Sequence, residues 1–88
     1  MAEDIKYIHK ICKRFTSQVK FAVLRHLDHS NGLPFDVDLP KDAESATEIY
    51  SRKNVLLRSI LDDLQEDIQL ELSNYNDHWR IHVSHKDH

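Results

Sequence analysis

Apolar residues in the first third of the chain recur at intervals of three and four residues. The repeated positions are Ile5, Ile8, Cys12, Phe15, Val19 and Ala22. This spacing puts apolar side chains on one face of a helix, so the pattern predicts one long helix over residues 3–29. Gly32, the only glycine, follows this segment and is expected to form a left-handed C-cap, and Pro34 prevents the helix from continuing.

A short extended segment is predicted next, because apolar and polar residues alternate from Leu33 to Pro40. A period of two is typical of an extended chain with one buried face. Pro34 and Pro40 lack the N–H that a central strand donates to its neighbours. We therefore expect either an edge strand or a loop that straps over the core.

The pattern then returns to helical spacing. Ser45 and Glu48 have the spacing of a capping box, which predicts a helix start near Ser45. The apolar line of this second helix consists of Ala46, Tyr50, Leu57, Ile60, Leu61 and Leu64. Lys53 occupies the one step of the line that is not apolar, and neither Gly nor Pro interrupts residues 41–88. This line favours one continuous long helix.

The last third of the chain contains two runs with a period of two. Their apolar positions are Ile68, Leu70 and Leu72 in the first run and Trp79, Ile81 and Val83 in the second. Turn-forming residues separate the runs, so the pattern predicts a β-hairpin. If residues 76–77 form a two-residue turn, Leu72 faces Ile81 and Leu70 faces Val83, which leaves both apolar rows on one side. A four-residue turn shifts the pairing by two residues and keeps the same faces.

These elements predict an α+β fold in a single small domain over residues 1–88. It consists of two long amphipathic helices joined by an extended segment, with a C-terminal β-hairpin. A winged helix-turn-helix has the same element order if residues 51–54 form a turn and residues 55–66 form the recognition helix. The apolar line argues against that bend, and we keep the winged helix as the alternative. Acidic residues of its recognition helix would also face phosphates unfavourably: Asp62, Asp63, Glu66 and Asp67.

Composition narrows the class of protein. The chain is 40% hydrophobic and 31% charged, which is too apolar for disorder. A core of this size is small, so we expect a homodimer to supplement it. A single cysteine, Cys12, excludes an intramolecular disulfide and a multi-cysteine zinc site. Because the sequence has neither the apolar stretch of a signal peptide nor a run of roughly 18 apolar residues, we expect a cytoplasmic protein with no membrane contact.

The net charge of −3 hides an uneven distribution. Residues 1–29 carry six Lys or Arg against three Asp or Glu, whereas residues 30–88 carry six against twelve. Cations of the first helix lie opposite its apolar stripe, with Phe21 and Leu24 among them. Apolar anchors ringed by cations are typical of a protein-docking surface. We therefore expect a small non-enzymatic regulatory protein that binds a protein partner through Lys20, Phe21, Leu24 and Arg25.

The alternative function is a winged-helix transcriptional regulator that binds nucleic acid. Its contacts to phosphates and bases would come from Arg52, Lys53, Asn54, Arg58, Ser59, Tyr75, His78 and Arg80.

The motifs of phosphate loops, zinc peptidases and serine hydrolases are missing, so no enzymatic activity and no cofactor are expected. A metal is not expected either, since His78 and His82 would lie about 13 Å apart on one strand. The small core leaves little room for a small-molecule substrate.

Overall fold

The computed structural model describes residues 2–29 and 32–86, with side chains for residues 5–28 and 32–86. These residues form a small α+β fold. Its elements, in chain order, are helix α1 (Ala2–His29), strand β1 (Phe35–Pro40), helices α2 (Ala43–Ser51) and α3 (Lys53–Leu64), and strands β2 (Ile68–Asn74) and β3 (His78–His85).

The three strands form one antiparallel sheet in the order β1-β3-β2, so β3 is the central strand. Leu72 lies opposite Ile81, which confirms the predicted hairpin register. The Tyr75 N–H donates to the His78 carbonyl, leaving a two-residue loop at residues 76–77. β1 pairs with the other side of β3, so the segment forms the edge strand and not the loop, the other of the two predicted possibilities.

The core lies between one face of the sheet and the helices. Alternate residues of β3 point into it, as the period of two predicts. The largest completely buried side chains are Trp79, Ile60, Ile81, Val19, Val23 and Val83. The opposite face of the sheet carries the polar residues of all three strands, so only one side of the sheet is covered.

The prediction of one long first helix is confirmed. Ile5 is 71% exposed, whereas the buried side chains of α1 are Phe15, Val19 and Val23. The fold therefore covers the later turns of the helix and leaves the start of its apolar stripe open. The predicted end of the helix includes residues 30–31, which lie outside the described residues. Gly32 has a φ of +127°, a conformation that favours glycine.

The prediction of one continuous second helix is wrong, because the helix is broken at Arg52. This residue has φ −110° and ψ 14°, and its N–H donates to the Ile49 carbonyl three residues back. The side chains of Ser51 and Arg52 donate to the Glu48 carbonyl, which satisfies that acceptor without a helical N–H. The predicted two-helix arrangement is thus replaced by three helices.

The second helix starts close to the predicted position near Ser45, but Asp42 and not Ser45 is the N-cap. Asp42 Oδ1 accepts a hydrogen bond from the Glu44 N–H at 3.3 Å. The Ser45 hydroxyl donates to the carbonyl and to Oδ2 of Asp42, and Ser45 is buried in the first turn. Helix α2 therefore begins at Ala43, with two residues between it and the end of β1 at Pro40.

Candidate functional site

A row of cations and aromatic rings links the α2–α3 corner to the hairpin. Lys53 Nζ lies 4.4 Å from the centre of the Tyr50 ring and donates to the Tyr50 hydroxyl at 3.2 Å. The Tyr50 ring stacks on Trp79 with centroids 6.2 Å apart, and Lys41 Nζ lies 5.1 Å from the Trp79 centroid. Because Trp79 is only 1% exposed, it anchors this row in the core.

Lys41 is the residue of this row that reaches the hairpin loop. Its ammonium group donates to the side-chain oxygen of Asn74 and to the Tyr75 carbonyl oxygen. Lys41 is held there because Pro40 pairs with His78, which brings the end of β1 beside the loop. The sequence prediction missed Lys41, since only the register of β1 against β3 could have identified it.

The hairpin loop presents a stacked pair of rings. The Tyr75 and His78 rings are nearly parallel with centroids 4.8 Å apart, and the Arg80 guanidinium lies 5.1 Å from the Tyr75 centroid. Asp77 is bound to His78 Nδ1 at 2.6 Å, and this hydrogen bond holds the pKa of Asp77 below its ordinary value. Tyr75 remains 43% exposed, so the loop offers an aromatic surface next to a cation.

The outward side of α3 continues this surface. Asn54, Arg58 and Ser59 are exposed, and Arg58 has no hydrogen-bond or ion-pair partner among the described residues. Arg52 differs, because its Nη1 contacts Glu48 Oε2 at 2.6 Å. The structure therefore brings the predicted residues of the α3 start and of the hairpin loop to one end of the molecule, with Arg52 already in an ion pair.

Arg80 is also engaged, by a carboxylate from the neighbouring strand. Its Nε and Nη2 donate to the two oxygens of Asp38 at 2.8 and 3.2 Å. This two-point hydrogen bond lowers the pKa of Asp38 and raises that of Arg80. At the next residue of β3 on the same face, His82, the ring Nδ1 lies 2.7 Å from Asp36 Oδ1. The outer face of the sheet thus pairs its own charges, which leaves α3 and the loop as the more available surface.

Replacing Asp38 with Asn should lower stability at neutral pH but not in strong acid. The pKa of Asp38 is below its ordinary value of 3.8 in the folded protein, so the ionised carboxylate stabilises the fold above that value. This contribution is lost as the pH falls through the folded pKa. Urea unfolding at a series of pH values should show the wild type and Asp38→Asn converging in acid. Asp62→Asn, an exposed change on α3, is the control, and a gap that persists in strong acid would contradict this account.

The predicted partner-binding residues lie on the outer side of α1. Phe21 is 69% exposed and Leu24 is 42% exposed, with Arg25 exposed beside them. Lys20 is not free, because its Nζ lies 2.9 Å from Asp63 Oδ2 on α3. The structure therefore brings Phe21, Leu24 and Arg25 together as an apolar patch with a cationic neighbour, and gives Lys20 a role in joining α1 to α3.

Helix α1 contacts both the Trp79 region and the later part of α3. Phe15 packs edge-to-face against Trp79 with centroids 5.8 Å apart, and Lys41 lies over the same Trp79 ring. Further along α1, Lys20 meets Asp63 near the end of α3. The acidic residues of the predicted recognition helix lie towards the end of α3, since Asp62 is nine residues or roughly 13 Å beyond Lys53 along the helix.

Residues 2–29 and 32–86 contain no group of three His, Cys, Asp or Glu side chains arranged to hold a metal ion. The helices among these residues are all too short or too polar to cross a bilayer. Cys12 is a half-buried free thiol on α1 that packs against the core.

Protein-family models, curated proteins and solved structures were each compared with the chain, and none of them matches it. Function is therefore inferred from the geometry and charge of the chain itself.

Proposed function

We propose that this chain is a winged-helix regulator that binds duplex nucleic acid, with α3 as the recognition helix and the β2–β3 loop as the wing. The break at Arg52 carries this proposal. It separates α2 from α3, and the contact of Tyr50 with Trp79 then keeps the start of α3 next to the hairpin. The element order and the sheet order β1-β3-β2 agree with a winged helix-turn-helix.

The chemistry of this end of the molecule supports phosphate binding. Lys53 and Arg58 supply cations on α3, and Asn54 lies between them with an amide that can read a base edge. Tyr75 supplies an exposed ring on the loop. Lys53 lies over the Tyr50 ring, and this contact holds its cation beside the Trp79 end of the sheet.

The acidic residues of α3 lie beyond its start. Asp62 and Asp63 are about 13 to 15 Å past Lys53 along the helix, and Asp63 is paired with Lys20, whereas Asp62 is one turn past Arg58 and reduces the attraction for phosphate there. At an ionic strength of 0.1 M, charges more than about 10 Å apart in solvent are largely screened. A chain with a net charge of −3 can therefore bind phosphates with one end of its surface.

A titration of a fluorescent duplex DNA of mixed sequence tests the proposal. We expect a dissociation constant of roughly micromolar order at about 50 mM salt, and a loss of affinity of at least about tenfold at about 200 mM salt. The loss follows from release of the counterions that the bound cations displace. A single-stranded DNA of the same length serves as the comparison. No binding at low salt, or binding that is independent of salt, would overturn the proposal.

A second candidate function is docking of a protein partner on the outer side of α1, with a second copy of the chain as the expected partner. The observation that favours it is the exposure of Phe21 and Leu24 one turn apart on a surface helix. Neighbouring exposed apolar side chains of this kind mark interaction surfaces. This docking and nucleic-acid binding are compatible, because the patch and the α3 start are separate surfaces.

The double change Phe21→Ser and Leu24→Ser should abolish self-association without unfolding the chain. The wild type should sediment as a dimer at tens of micromolar protein, and the variant as a monomer, because the apolar anchors are removed. Unfolding in urea checks that the exposed changes leave the monomer stable. Val55→Ser, which replaces an exposed apolar residue on α3, is the control and should leave the dimer intact. A monomeric wild type would refute the dimer.

A further inference from the structure

A cleft of about 330 Å³ opens between α1 and the segment that joins β1 to α2. This volume falls at the lower end of the range for small-molecule sites, about 300 to 1,000 Å³. The floor of the cleft is formed by Phe15, Ile49 and Trp79, and polar side chains of Arg14, Gln18 and Lys41 stand at its rim.

The rim favours an anion. Arg14 is exposed and has no hydrogen-bond or ion-pair partner among the described residues, so its guanidinium is available to a ligand. Lys41 adds a second positive charge, and its ammonium group also donates to Asn74 and to the Tyr75 carbonyl. Asp42 also lines the cleft, but its carboxylate already accepts hydrogen bonds from the Glu44 N–H and the Ser45 hydroxyl. A guanidinium binds a carboxylate through two parallel hydrogen bonds, which makes a carboxylate the matching group.

The floor favours an aromatic ring. Phe15 and Trp79 line the cleft although they are only 3% and 1% exposed, so a ligand meets a narrow strip of each ring. Trp79 is already stacked on Tyr50, and Phe15 packs edge-to-face on Trp79. A planar ring can pack on this strip in an offset or edge-to-face arrangement, as aromatic pairs prefer.

From these features we propose that the cleft binds a small aromatic monocarboxylate. The ring of the ligand lies on the Phe15–Trp79 floor, and its carboxylate is held by Arg14 with Lys41 nearby. The site is independent of nucleic-acid binding, since none of its polar rim residues belongs to the outward side of α3.

Benzoate is the probe, and the fluorescence of Trp79, the only tryptophan, is the readout. Benzoate should change the emission saturably with a dissociation constant of roughly millimolar order, as suits so small a ligand. Neutral benzamide, which has the same shape, should bind at least about tenfold more weakly. Acetate, which lacks the ring, should give no saturable change. These comparisons use the unmodified protein and so do not depend on any variant folding.

The variant Arg14→Gln locates the site on the chain. It should weaken benzoate binding by about tenfold, whereas the same charge change at the neighbouring Lys13→Gln should alter it by less than about twofold. Both positions are exposed, so urea unfolding should show equal stability. Equal binding of benzoate and benzamide, a response that does not saturate, or undiminished affinity in Arg14→Gln would each overturn the proposal.

Discussion

Replacing Trp79 with alanine should lower the free energy of unfolding by about 3 to 5 kcal/mol. The ring is only 1% exposed and contacts an aromatic residue from each of two helices, Phe15 and Tyr50. Its removal leaves a cavity where α1, α2 and the central strand meet. Since a domain of this size is stable by only about 5 to 10 kcal/mol, the variant should be close to unfolding at room temperature.

Circular dichroism during urea unfolding measures this loss, because the variant has no tryptophan fluorescence. Tyr75→Ala is the matched control, since Tyr75 belongs to the same hairpin but is 43% exposed. We expect this control to cost less than about 1 kcal/mol. An equally small loss for Trp79→Ala would show that the ring is outside the core. The row of cations and aromatic rings from Lys53 to Lys41 would then not be held in place by a buried side chain.

The order and burial of most elements could be predicted because they follow from local periodicity. The period of two in the last third of the chain reported which residues of β2 and β3 face the core. The two-residue loop at residues 76–77 then determined the register, with Leu72 opposite Ile81. In a hairpin, a short loop and a one-sided apolar pattern leave few other pairings, so the sequence carries this information locally.

The break at Arg52 could not be predicted from periodicity. Ile49 and Leu56, which are buried on either side of it, are seven residues apart, close to two helical turns. The apolar line therefore keeps its phase across the break. At the end of α2, the side chains of Ser51 and Arg52 donate to the Glu48 carbonyl in place of a helical N–H. In a sequence these residues resemble ordinary exposed positions of a helix.

The candidate nucleic-acid surface was predicted as a set of residues but not as an arrangement. Arg80 was included without Asp38, its carboxylate partner on β1. Lys41, which bridges Trp79 to the hairpin loop, was missed. Both contacts depend on β1 pairing with β3, a long-range pairing that no local pattern specifies. The sequence therefore identifies candidate hydrogen-bond donors, and the structure shows which of these side chains are already paired within the chain.

Reversing two charges at the start of α3 should weaken duplex DNA binding by roughly a hundredfold at about 50 mM salt. The variant is Lys53→Glu with Arg58→Glu, which replaces two phosphate contacts with two repulsive carboxylates. The slope of log affinity against log salt should fall in magnitude by about two, because two fewer counterions are released. Fluorescence anisotropy over a range of salt concentrations measures both quantities.

The matched control is Arg25→Glu with Lys86→Glu, which changes the net charge by the same amount at exposed positions away from α3 and the loop. This control should retain most of the affinity. Loss of a phosphate contact weakens binding only at the position of that contact, whereas a change in net charge weakens binding wherever it is made. Lys53 contacts the Tyr50 hydroxyl, so the glutamates could disturb the packing of Tyr50. The neutral variant Lys53→Gln with Arg58→Gln removes both cations without adding negative charge and repeats the test. Equal losses in both charge-reversal variants would mean that net charge alone governs binding, and α3 would then not be the recognition helix.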